Sequence, residues 1–481
     1  MTKQGFPTGQ SRLILPLESP WFRWACVLVP GLLLYFLPLG GLAANQRHLL
    51  AIFCSAILGL VVRPAPMGVT LFLAVTLIAL TGTLPLGRAL AGFSSPIVWL
   101  IFSAFVFAQA VTETHLGIRI AYFIISRLAH NSLALGYAAA ASNLVLAPFV
   151  PSDTARGAIV APILRNVAEV LGSEPGPTSA RIGSYMTLVG FHTNYLASVM
   201  FLTSMAGNPL IAKFALDIAH VELTWAHWAL AASLPGLCSF AFIPWLIYNL
   251  NPPQLRETAH AQAFANGKLA GLGPMARRER ILIAILATVI AGWITSPWHG
   301  LGNTIVAMGG VCAILLSGVL AWEDILRNAR AWEVIVWFAP LLMMADELSK
   351  QGVIHVIFAA GFSHLEGWPW AFSLAALALC YFYAHYGFAS LTAHISALFP
   401  GFLGAALVLG IPAALAVWTL AFLSNLNAGL THYGTGSAPV YFAGAYVSQD
   451  TWWAVGFVVS IVNIAIWLGL GSLWWSLIGL W

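Results

Sequence analysis

The sequence predicts an all-α protein that crosses a membrane many times, because it is too apolar to cover a water-facing surface. Hydrophobic residues make up 60% of the 481-residue chain and charged residues only 7%, against roughly 25% charged in a soluble domain. Runs such as residues 70–81 and 281–293 are apolar on every side, whereas strands of a lipid-facing barrel would alternate. Helices of about 20 apolar residues satisfy their own backbone groups across the hydrocarbon layer.

The few charged residues predict the orientation of the chain. Basic residues precede the first span (Lys3, Arg12, Arg23) and crowd one central loop (Arg256, Lys268, Arg277, Arg278, Arg280). Cytoplasmic segments are enriched in Lys and Arg, so both regions are predicted to be cytoplasmic, in a multi-pass protein of the inner (plasma) membrane. The net charge is only +4, and eight of the 20 Lys and Arg residues fall in these two regions, so no nucleic-acid partner is predicted. The five cysteines stand singly, without metal or disulfide spacing, and no cofactor is predicted.

The first half of the chain, residues 24–250, follows a cytoplasmic segment at 1–23. Its first four spans are predicted at residues 24–43, 48–62, 68–86 and 96–113. A basic amphipathic stretch at 115–130 is predicted to lie along the membrane interface. Two short apolar runs then flank a polar tip, which indicates a re-entrant hairpin, since irregular backbone at that depth must be buried in protein or line a cavity. A segment interrupted at 206–209 and a span at 225–249 complete this half.

The second half, residues 280–481, repeats the pattern after the basic loop at 251–279. It holds, in order, spans at 280–296, 303–321 and 332–346, an amphipathic piece at 346–362, a second hairpin from 368, apolar helix to about 423, a break at 431–436 and a last span. About 11 transmembrane helices and two hairpins are therefore predicted, six spans before the basic loop and five after it. The two halves are predicted to be inverted repeats, and paired interruptions in two halves point to a transporter's binding site.

One short motif marks both hairpin tips. Residues 151–156 read Pro-Ser-Asp-Thr-Ala-Arg, and residues 389–394 read Ala-Ser-Leu-Thr-Ala-His. The shared skeleton is Ser-x-Thr-Ala, with a proline ten residues after the serine, at Pro162 and at Pro400. The copies lie 238 residues apart, close to half of the chain. Each half therefore places one small polar tip in an apolar surround.

Hydroxyl groups at helix starts are suited to binding an anion. Ser152 and Thr154 lead into one helix and Ser390 and Thr392 into another, and each helix N-terminus directs partial positive charge and free N–H groups at its tip. The alternative is ordinary helix N-capping. Because two tips match, we predict that these four residues bind an anionic substrate.

Two ionisable residues occupy equivalent positions behind the tips. Arg156 and His394 each follow the threonine by two residues, and an ionisable group inside a membrane protein suggests a function. Both are predicted to help neutralise a dicarboxylate. The alternatives are that Arg156 pairs with Asp153 or reaches the interface, and that His394 is a packing residue.

The glycine-rich interruptions are predicted to expose backbone groups next to the tips. They read Gly207-Asn208-Pro209 and Gly434-Thr435-Gly436. Asn208, Thr435, Gly436 and the tip residue Asp153 are assigned to substrate binding, because such loops can bind substrate oxygens or sodium. If transport is coupled to sodium, Asp153, Gly207 and Gly434 are the predicted ligands of the ion.

Three stretches of the chain resemble the divalent anion:sodium symporter (DASS) family. They are the tip Pro-Ser-Asp-Thr-Ala-Arg with Ala161-Pro162-Ile163 behind it, residues 198–210 and residues 430–446. The similarity is greatest to the branch of bacterial citrate/succinate exchangers and plastid 2-oxoglutarate/malate translocators. The resemblance implies an elevator-type homodimer in which a scaffold domain holds a transport domain carrying both hairpins, and a small di- or tricarboxylate as the substrate.

The chain departs from the family's tips, which usually read Ser-Asn-Thr, with asparagines that help coordinate sodium and carboxylate. Here those positions are Asp153 and Leu391, and Leu391 offers no oxygen. With Arg156 and His394 as fixed cations, the sequence predicts sodium-independent exchange of carboxylates of the succinate, malate, 2-oxoglutarate, citrate or tartrate class. A sodium-coupled symporter is the main alternative. A remote one is an intramembrane hydrolase with Ser437 as nucleophile and His432 or His394 as base, although the protein is predicted not to be an enzyme.

Overall fold

The computed structural model describes residues 19–38, 41–353 and 367–481, and this part of the chain is built from helices with one isolated bridge between Asn131 and Glu257. The all-α prediction is confirmed. The helices of the first half are α1 Pro20–Phe36, α2 Ala44–Val62, α3 Met67–Leu80, α4 Leu86–Ala89, α5 Pro96–Glu113, α6 Leu116–Leu128, α7 Ser132–Leu146, α8 Asp153–Val170, α9 Gly183–Met200, α10 Gly207–Ala219 and α11 Trp225–Leu250.

The remaining helices follow in the same order as the predicted spans. They are α12 Ala259–Leu272, α13 Arg277–Ile294, α14 Ser296–His299, α15 Asn303–Leu316, α16 Trp322–Leu326, α17 Ala329–Lys350, α18 Trp370–Tyr383, α19 Leu391–Val408, α20 Ala413–Leu426, α21 Ala438–Phe442, α22 Gln449–Ala465 and α23 Ser472–Leu477. Two short 3-10 helices, Ala384–Gly387 and Asn427–Leu430, lie beside the second hairpin tip and the second break.

Several of these helices have the length and composition of membrane spans, as expected of a multi-pass membrane protein. Among the described residues six qualify: Ala44–Val62, Pro96–Glu113, Trp225–Leu250, Leu391–Val408, Ala413–Leu430 and Gln449–Leu477. Four apolar helices are shorter: Pro20–Phe36, Met67–Leu80, Ser132–Leu146 and Asn303–Leu316. The predicted total of about 11 spans stays a prediction.

The first break lies earlier in the chain than predicted. Residues 201–206 are irregular, and Gly207, Asn208 and Pro209 form the first turn of α10. Asn208 Nδ2 donates to the backbone oxygens of Ser198 (2.9 Å) and Phe201 (3.0 Å) at the end of α9. Its side chain therefore satisfies carbonyls that the end of a helix leaves free, and Pro209 is tolerated in a first turn, where backbone N–H groups have no intrahelical partner.

Three other predicted boundaries also differ from the structure. The apolar helix predicted to continue to about residue 423 ends at Val408, because Gly410 takes a left-handed conformation (φ 71°) and Pro412 follows. The basic loop at 251–279 contains α12, which packs against α6 and buries Ala261 and Ala265. Residues 346–350 of the predicted amphipathic piece continue α17, whereas 354–362, Lys3 and Arg12 lie outside the described residues.

The two predicted hairpins have matching geometry. The first consists of α7 and α8 and the second of α18 and α19, and α8 and α19 each contain 18 residues, beginning directly after Ser152 and Ser390. Both serines are extended, with φ/ψ of −149°/120° and −157°/128°. Pro162 and Pro400 lie inside the two helices at equivalent positions. The repeated motif thus folds the same way twice.

The helices pack in two groups. We call α1, α2, α3, α5, α13, α15 and α17 the first bundle, and α7 to α11 with α18 to α22 the second bundle. Helix α6 packs on α5 of the first bundle and on α7 and α8 of the second, and α12 lies against α6 and α8. Direct contacts between the bundles include α10 with α17 and α2 with α19. Both hairpins and both breaks therefore belong to the second bundle.

Candidate functional site

The serine of each tip caps the helix that follows it. Ser152 Oγ accepts from the backbone N–H of Ala155 (3.2 Å), and Ser390 Oγ accepts from that of Ala393 (3.4 Å). N-capping, the alternative reading of the motif, is therefore present at both tips. A capping hydroxyl still carries its own hydrogen as a donor. Capping and ligand binding are thus compatible at these two positions.

Both tips face one cavity of about 470 Å³ that lies between the two bundles. The second bundle contributes Ser152, Asp153, Thr154, Ser390, Leu391, Thr392, Thr435 and Gly436 to its wall. Opposite them, the first bundle contributes Arg63, Met67, Phe105, Arg330, Glu333, Val334 and Trp337. This volume falls within the roughly 300–1,000 Å³ of small-molecule sites. Two segments 238 residues apart in sequence therefore converge on one space.

Asp153 connects the first tip to the second break. Its Oδ2 accepts hydrogen bonds from the hydroxyls of Thr435 and Ser437, the latter at 3.0 Å. The residue is 7% exposed and lies at the first position of α8, where the helix N-terminus favours a negative charge. One carboxylate oxygen of Asp153 is thus occupied by two hydroxyl donors of the second bundle.

Gly436 lies directly against the first tip. A Cβ added at Gly436 would overlap Thr154 Oγ1, so a side chain there would displace Thr154. The absence of a side chain at this position allows the backbone of the second break to approach the hydroxyl of the first tip.

Arg156 is fully buried behind the first tip and does not line the cavity. Its Nε donates to Asn194 Oδ1 (2.8 Å), and Nη2 donates to the Asn194 carbonyl (2.7 Å) and Ser198 Oγ (2.6 Å). Its Nη1 donates to the carbonyls of Val150 (3.2 Å) and Ser204 (3.4 Å). All three guanidinium nitrogens are thus engaged by protein acceptors, which does not support a direct contact between Arg156 and substrate.

Arg156 also makes no ion pair with Asp153, although the two residues share the first turn of α8. No salt bridge of Arg156 is found within the described residues. The link between them passes through Asn194, whose Nδ2 donates to the Asp153 carbonyl oxygen (2.9 Å). The alternative interpretation, an ion pair between Arg156 and Asp153, is therefore not what the structure shows.

His394 is likewise buried, within a polar cluster under the second tip. Its Nε2 lies 3.2 Å from Asn427 Nδ2, and its ring packs edge-on against Tyr381, His385 and Phe388. Because an amide nitrogen donates, His394 Nε2 is the acceptor in this contact. The environment of His394 is that of the packing residue considered as the alternative.

The predicted residues of the first break do not reach the cavity. Asn208 is fully buried, and its Oδ1 accepts from Asn425 Nδ2 of α20 (2.8 Å). Gly207 packs against Ile395 and Met205. The first break therefore holds α9, α10 and α20 together, whereas Thr435 and Gly436 of the second break do line the cavity.

The groups predicted as sodium ligands are largely engaged by the protein. The Gly434 carbonyl accepts from His385 Nε2 (2.8 Å), and Asp153 Oδ2 already accepts two hydroxyl donors. Gly207 directs its N–H to the Met205 sulfur at 3.0 Å. Leu391 is 3% exposed and supplies no oxygen. Sodium binding by Asp153, Gly207 and Gly434 stays a prediction.

Comparison with known proteins identifies the family. A family model of the sodium:sulfate symporter transmembrane region matches residues 18–481.

The chain belongs to this family, the divalent anion:sodium symporters.

Relatives of this symporter-family chain align over almost its whole length. Dicarboxylate transporter 1 of Arabidopsis thaliana chloroplasts is 40% identical over 97% of this chain and 86% of its own. An L-tartrate/succinate antiporter of Shigella sonnei is 30% identical over 95% of this chain and 98% of its own. Among solved structures, the efflux pump MtrF of Neisseria gonorrhoeae shares the fold, with a TM-score of 0.53 at 12% identity and 96% coverage of both chains.

Membership of this symporter family makes the protein a transporter and not an enzyme. Ser437 donates to Asp153, His432 Nδ1 accepts from Trp453 Nε1 (3.0 Å), and His394 contacts Asn427. No hydrogen bond joins Ser437 to either histidine within the described residues. The serine–histidine pair that a hydrolase requires is not formed here.

Three charged residues of the cavity were not anticipated from the sequence. Arg63 follows α2, and Arg330 and Glu333 lie in the first turn and a half of α17. A basic residue at the end of a span ordinarily indicates an interfacial anchor, so neither arginine carried a distinct signal. Asn194 was missed as well, because its role depends on the position of Arg156 against α9.

Proposed function

We propose that this protein carries small di- or tricarboxylates of the succinate, malate, 2-oxoglutarate, citrate or tartrate class across the membrane by sodium-independent exchange. The convergence of the two Ser-x-Thr tips on one cavity carries the proposal. An anion placed there meets hydroxyl donors and the N-termini of two 18-residue helices, α8 and α19. The names of the Arabidopsis and Shigella relatives, a dicarboxylate transporter and a tartrate/succinate antiporter, support the same substrate class.

The tip hydroxyls are the groups we assign to direct contact with the substrate. Ser152, Thr154, Ser390 and Thr392 line the cavity. Hydrogen bonds to an ionised group contribute roughly 1.5–3 kcal/mol each. In this assignment, Thr435 and Gly436 complete the wall, and Asp153 orients the second break through Thr435 and Ser437.

Arg156 and His394 act from behind the tips. The guanidinium of Arg156 contacts backbone carbonyls and Asn194, so it positions the first tip and contributes its charge over a distance. His394 supports the second tip through Asn427. Asn208 joins α10 to α20 and so keeps the two tips in register.

Exchange follows from the chemistry of an empty cavity. Without an anion, the tip hydroxyls and helix N-termini would have to lose water on moving past an apolar wall, and unpaired polar groups cost free energy when buried. A bound carboxylate satisfies them. The loaded carrier therefore returns more readily than the empty one, so that uptake of one anion depends on export of another.

The two bundles fit an elevator mechanism. In this proposal the first bundle is the scaffold domain and the second is the transport domain, which moves with both tips on it. The repeat of the hairpins at an interval of 238 residues supports inverted repeats. We further propose a homodimer, as the resemblance to the family implies. We place it in the inner membrane with a cytoplasmic N-terminus, as the basic residues indicate.

Counterflow in proteoliposomes tests this function. Purified protein is reconstituted with or without internal malate, and uptake of radiolabelled malate is measured in sodium and in choline buffer. We expect rapid uptake only with internal malate, and at equal rates in the two buffers. Uptake into vesicles without internal malate that scales with a sodium gradient would establish the sodium-coupled symporter instead. Competition by succinate, 2-oxoglutarate, citrate and tartrate ranks the substrates.

A further inference from the structure

The first bundle places two arginines from separate helices on the wall of the cavity. Arg63 ends α2 and Arg330 lies at the start of α17, so both belong to the first bundle. Both residues are exposed, and both line the cavity. Neither forms an ion pair within the described residues. Both arginines thus line the same cavity of about 470 Å³ as the four tip hydroxyls.

The backbone at Arg63 is unusual. It is left-handed, with φ 52° and ψ 58°, in a position at the end of a helix where glycine or asparagine is preferred. Arginine pays a steric cost there, and residues in sparsely populated conformations concentrate at ligand sites. The left-handed turn ends α2 and is followed by Pro64, with the side chain of Arg63 on the cavity wall.

Arg63 also contacts the second tip. Its Nη2 donates to the backbone oxygen of Ala389 at 3.3 Å, and Ala389 directly precedes Ser390. This distance is long for an N–H···O hydrogen bond, whose usual value is near 2.9 Å. A carboxylate is a stronger acceptor than a peptide carbonyl, and it matches the planar fork of a guanidinium. An anion beside the tip would therefore compete well for Arg63.

The side chain of Arg330 makes no hydrogen bond or ion pair with any described residue, and neither does that of Glu333, three residues further along α17. Two carboxylates also line the cavity, Asp153 and Glu333, but Asp153 Oδ2 is directed at Thr435 and Ser437. The first-bundle wall thus has two cations and one anion, with Glu333 reducing the positive field that an incoming dianion meets.

We propose that Arg63 and Arg330 form a second carboxylate subsite, which selects dicarboxylates over monocarboxylates. One carboxylate of the substrate lies between the Ser-x-Thr tips, and the other lies at the guanidinium groups of Arg63 and Arg330 on the side of the first bundle. Arg63 exchanges its long bond to Ala389 for the substrate. This subsite rests on the carboxylate transport proposed above and assigns to the first bundle the recognition of the second charge.

The decisive experiment compares succinate with succinamate, in which one carboxylate of succinate is replaced by an uncharged carboxamide. Each compound is titrated against exchange of radiolabelled malate by the wild-type protein and by Arg63→Gln and Arg330→Gln. We expect each substitution to raise the half-inhibitory concentration of succinate about 10-fold, as the loss of a hydrogen bond to a charged group implies. The half-inhibitory concentration of succinamate should change by less than about twofold.

Three further variants sharpen the interpretation. Arg63→Lys retains the charge and should recover part of the preference for succinate. Glu333→Gln removes the negative charge of this wall. It should therefore strengthen succinate binding, whereas Arg63→Gln and Arg330→Gln should weaken it. Arg47→Gln is the control, because Arg47 lies on the same helix and donates to the Tyr35 carbonyl outside the cavity.

The possible failures are distinguishable. A wild-type protein that exchanges no dicarboxylate would contradict the proposed function itself. A wild-type protein that exchanges malate, together with variants that keep the wild-type ratio of succinate to succinamate affinity, would overturn the subsite alone. Gel filtration of each variant identifies misfolding. If Arg63→Gln or Arg330→Gln is misfolded, the succinate affinities of Arg63→Lys and Glu333→Gln decide whether the subsite exists.

Discussion

Lys213 Nζ lies 3.2 Å from Asp346 Oδ1 and thereby joins α10 of the second bundle to α17 of the first. Each residue also has a partner on its own helix: Lys213 pairs with Asp217, and Asp346 pairs with Lys350 at 2.6 Å. Of these three ion pairs, only that between Lys213 and Asp346 spans the two bundles. If the second bundle moves as proposed, this contact has to break in each transport cycle.

Lys213→Gln should therefore raise the maximal exchange rate about two- to fivefold. The pair is partly exposed, so its loss is worth up to about 1 kcal/mol, which corresponds to a factor of about five. Rates are measured in proteoliposomes at saturating malate. The double variant Lys213→Gln/Asp346→Asn should be no faster than Asp346→Asn alone, since coupled residues are not additive.

Lys350→Gln is the matched control for this prediction. Lys350 contacts the same carboxylate and carries the same charge, but it lies on α17 itself and its side chain is 64% exposed. Its substitution should leave the rate unchanged. An equal acceleration by Lys350→Gln would mean that general charge, and not the contact between the bundles, limits the motion.

Removing the tip hydroxyls should weaken substrate binding without loss of the fold. Glycine is nearly as good an N-cap as serine, so Ser152→Gly and Ser390→Gly remove the hydroxyl and retain the start of the helix. We expect KM for malate exchange to rise about 10-fold or more in each, as loss of a hydrogen bond to a carboxylate implies. Ser396→Ala serves as the control, because Ser396 Oγ donates to the Thr392 carbonyl within α19. Equal KM values for Ser390→Gly and Ser396→Ala would contradict the assignment.

The tips were predictable from the sequence because their geometry is local. A serine before a helix accepts from the N–H three residues later whatever surrounds it, and both Ser152 and Ser390 do so. The all-α class was equally accessible, since it depends on composition. The convergence of the tips on one cavity followed from the repeat and not from any single residue.

The rest of the site depends on contacts that no local pattern encodes. Arg156 was assigned to the substrate, yet its partners Asn194 and Ser198 come from α9, about 40 residues away. The first break lies earlier in the chain than predicted because the side chain of Asn208 caps the preceding helix. Arg63 and Arg330 reach the cavity only because α2 and α17 pack beside the second bundle. In each case the role of the residue depends on where its side chain points in the folded protein, which the local sequence does not specify.

Arg156→Lys should destabilise the protein strongly although it conserves the charge. The guanidinium donates to five acceptors from a fully buried position, whereas an ammonium has three donors and no planar fork. At least two acceptors would lose their partners, at roughly 1–3 kcal/mol each. Thermal unfolding in detergent should show a clear fall in Tm, and exchange should fall with it.

Arg165→Lys provides the comparison on the same helix. Arg165 lies on the exposed side of α8, and surface substitutions usually change stability by less than about 0.5 kcal/mol. A stable Arg156→Lys variant with a selective rise in KM for malate would instead restore Arg156 as a direct substrate ligand.

Gly436→Ala should displace the first tip, because the added Cβ would overlap Thr154 Oγ1. Overpacking of this kind costs about 1–3 kcal/mol, so both Tm and malate exchange should fall. Thr154→Ala removes the atom that the new Cβ meets, so the double variant Gly436→Ala/Thr154→Ala should regain Tm relative to Gly436→Ala while exchange stays low for want of the hydroxyl. Gly267→Ala in α12 is the control: nothing lies within 4 Å of its added Cβ, and alanine favours a helix over glycine by about 1 kcal/mol, so Tm should rise or remain constant. A double variant as unstable as Gly436→Ala would show that the new Cβ collides with the backbone and not with the Thr154 hydroxyl.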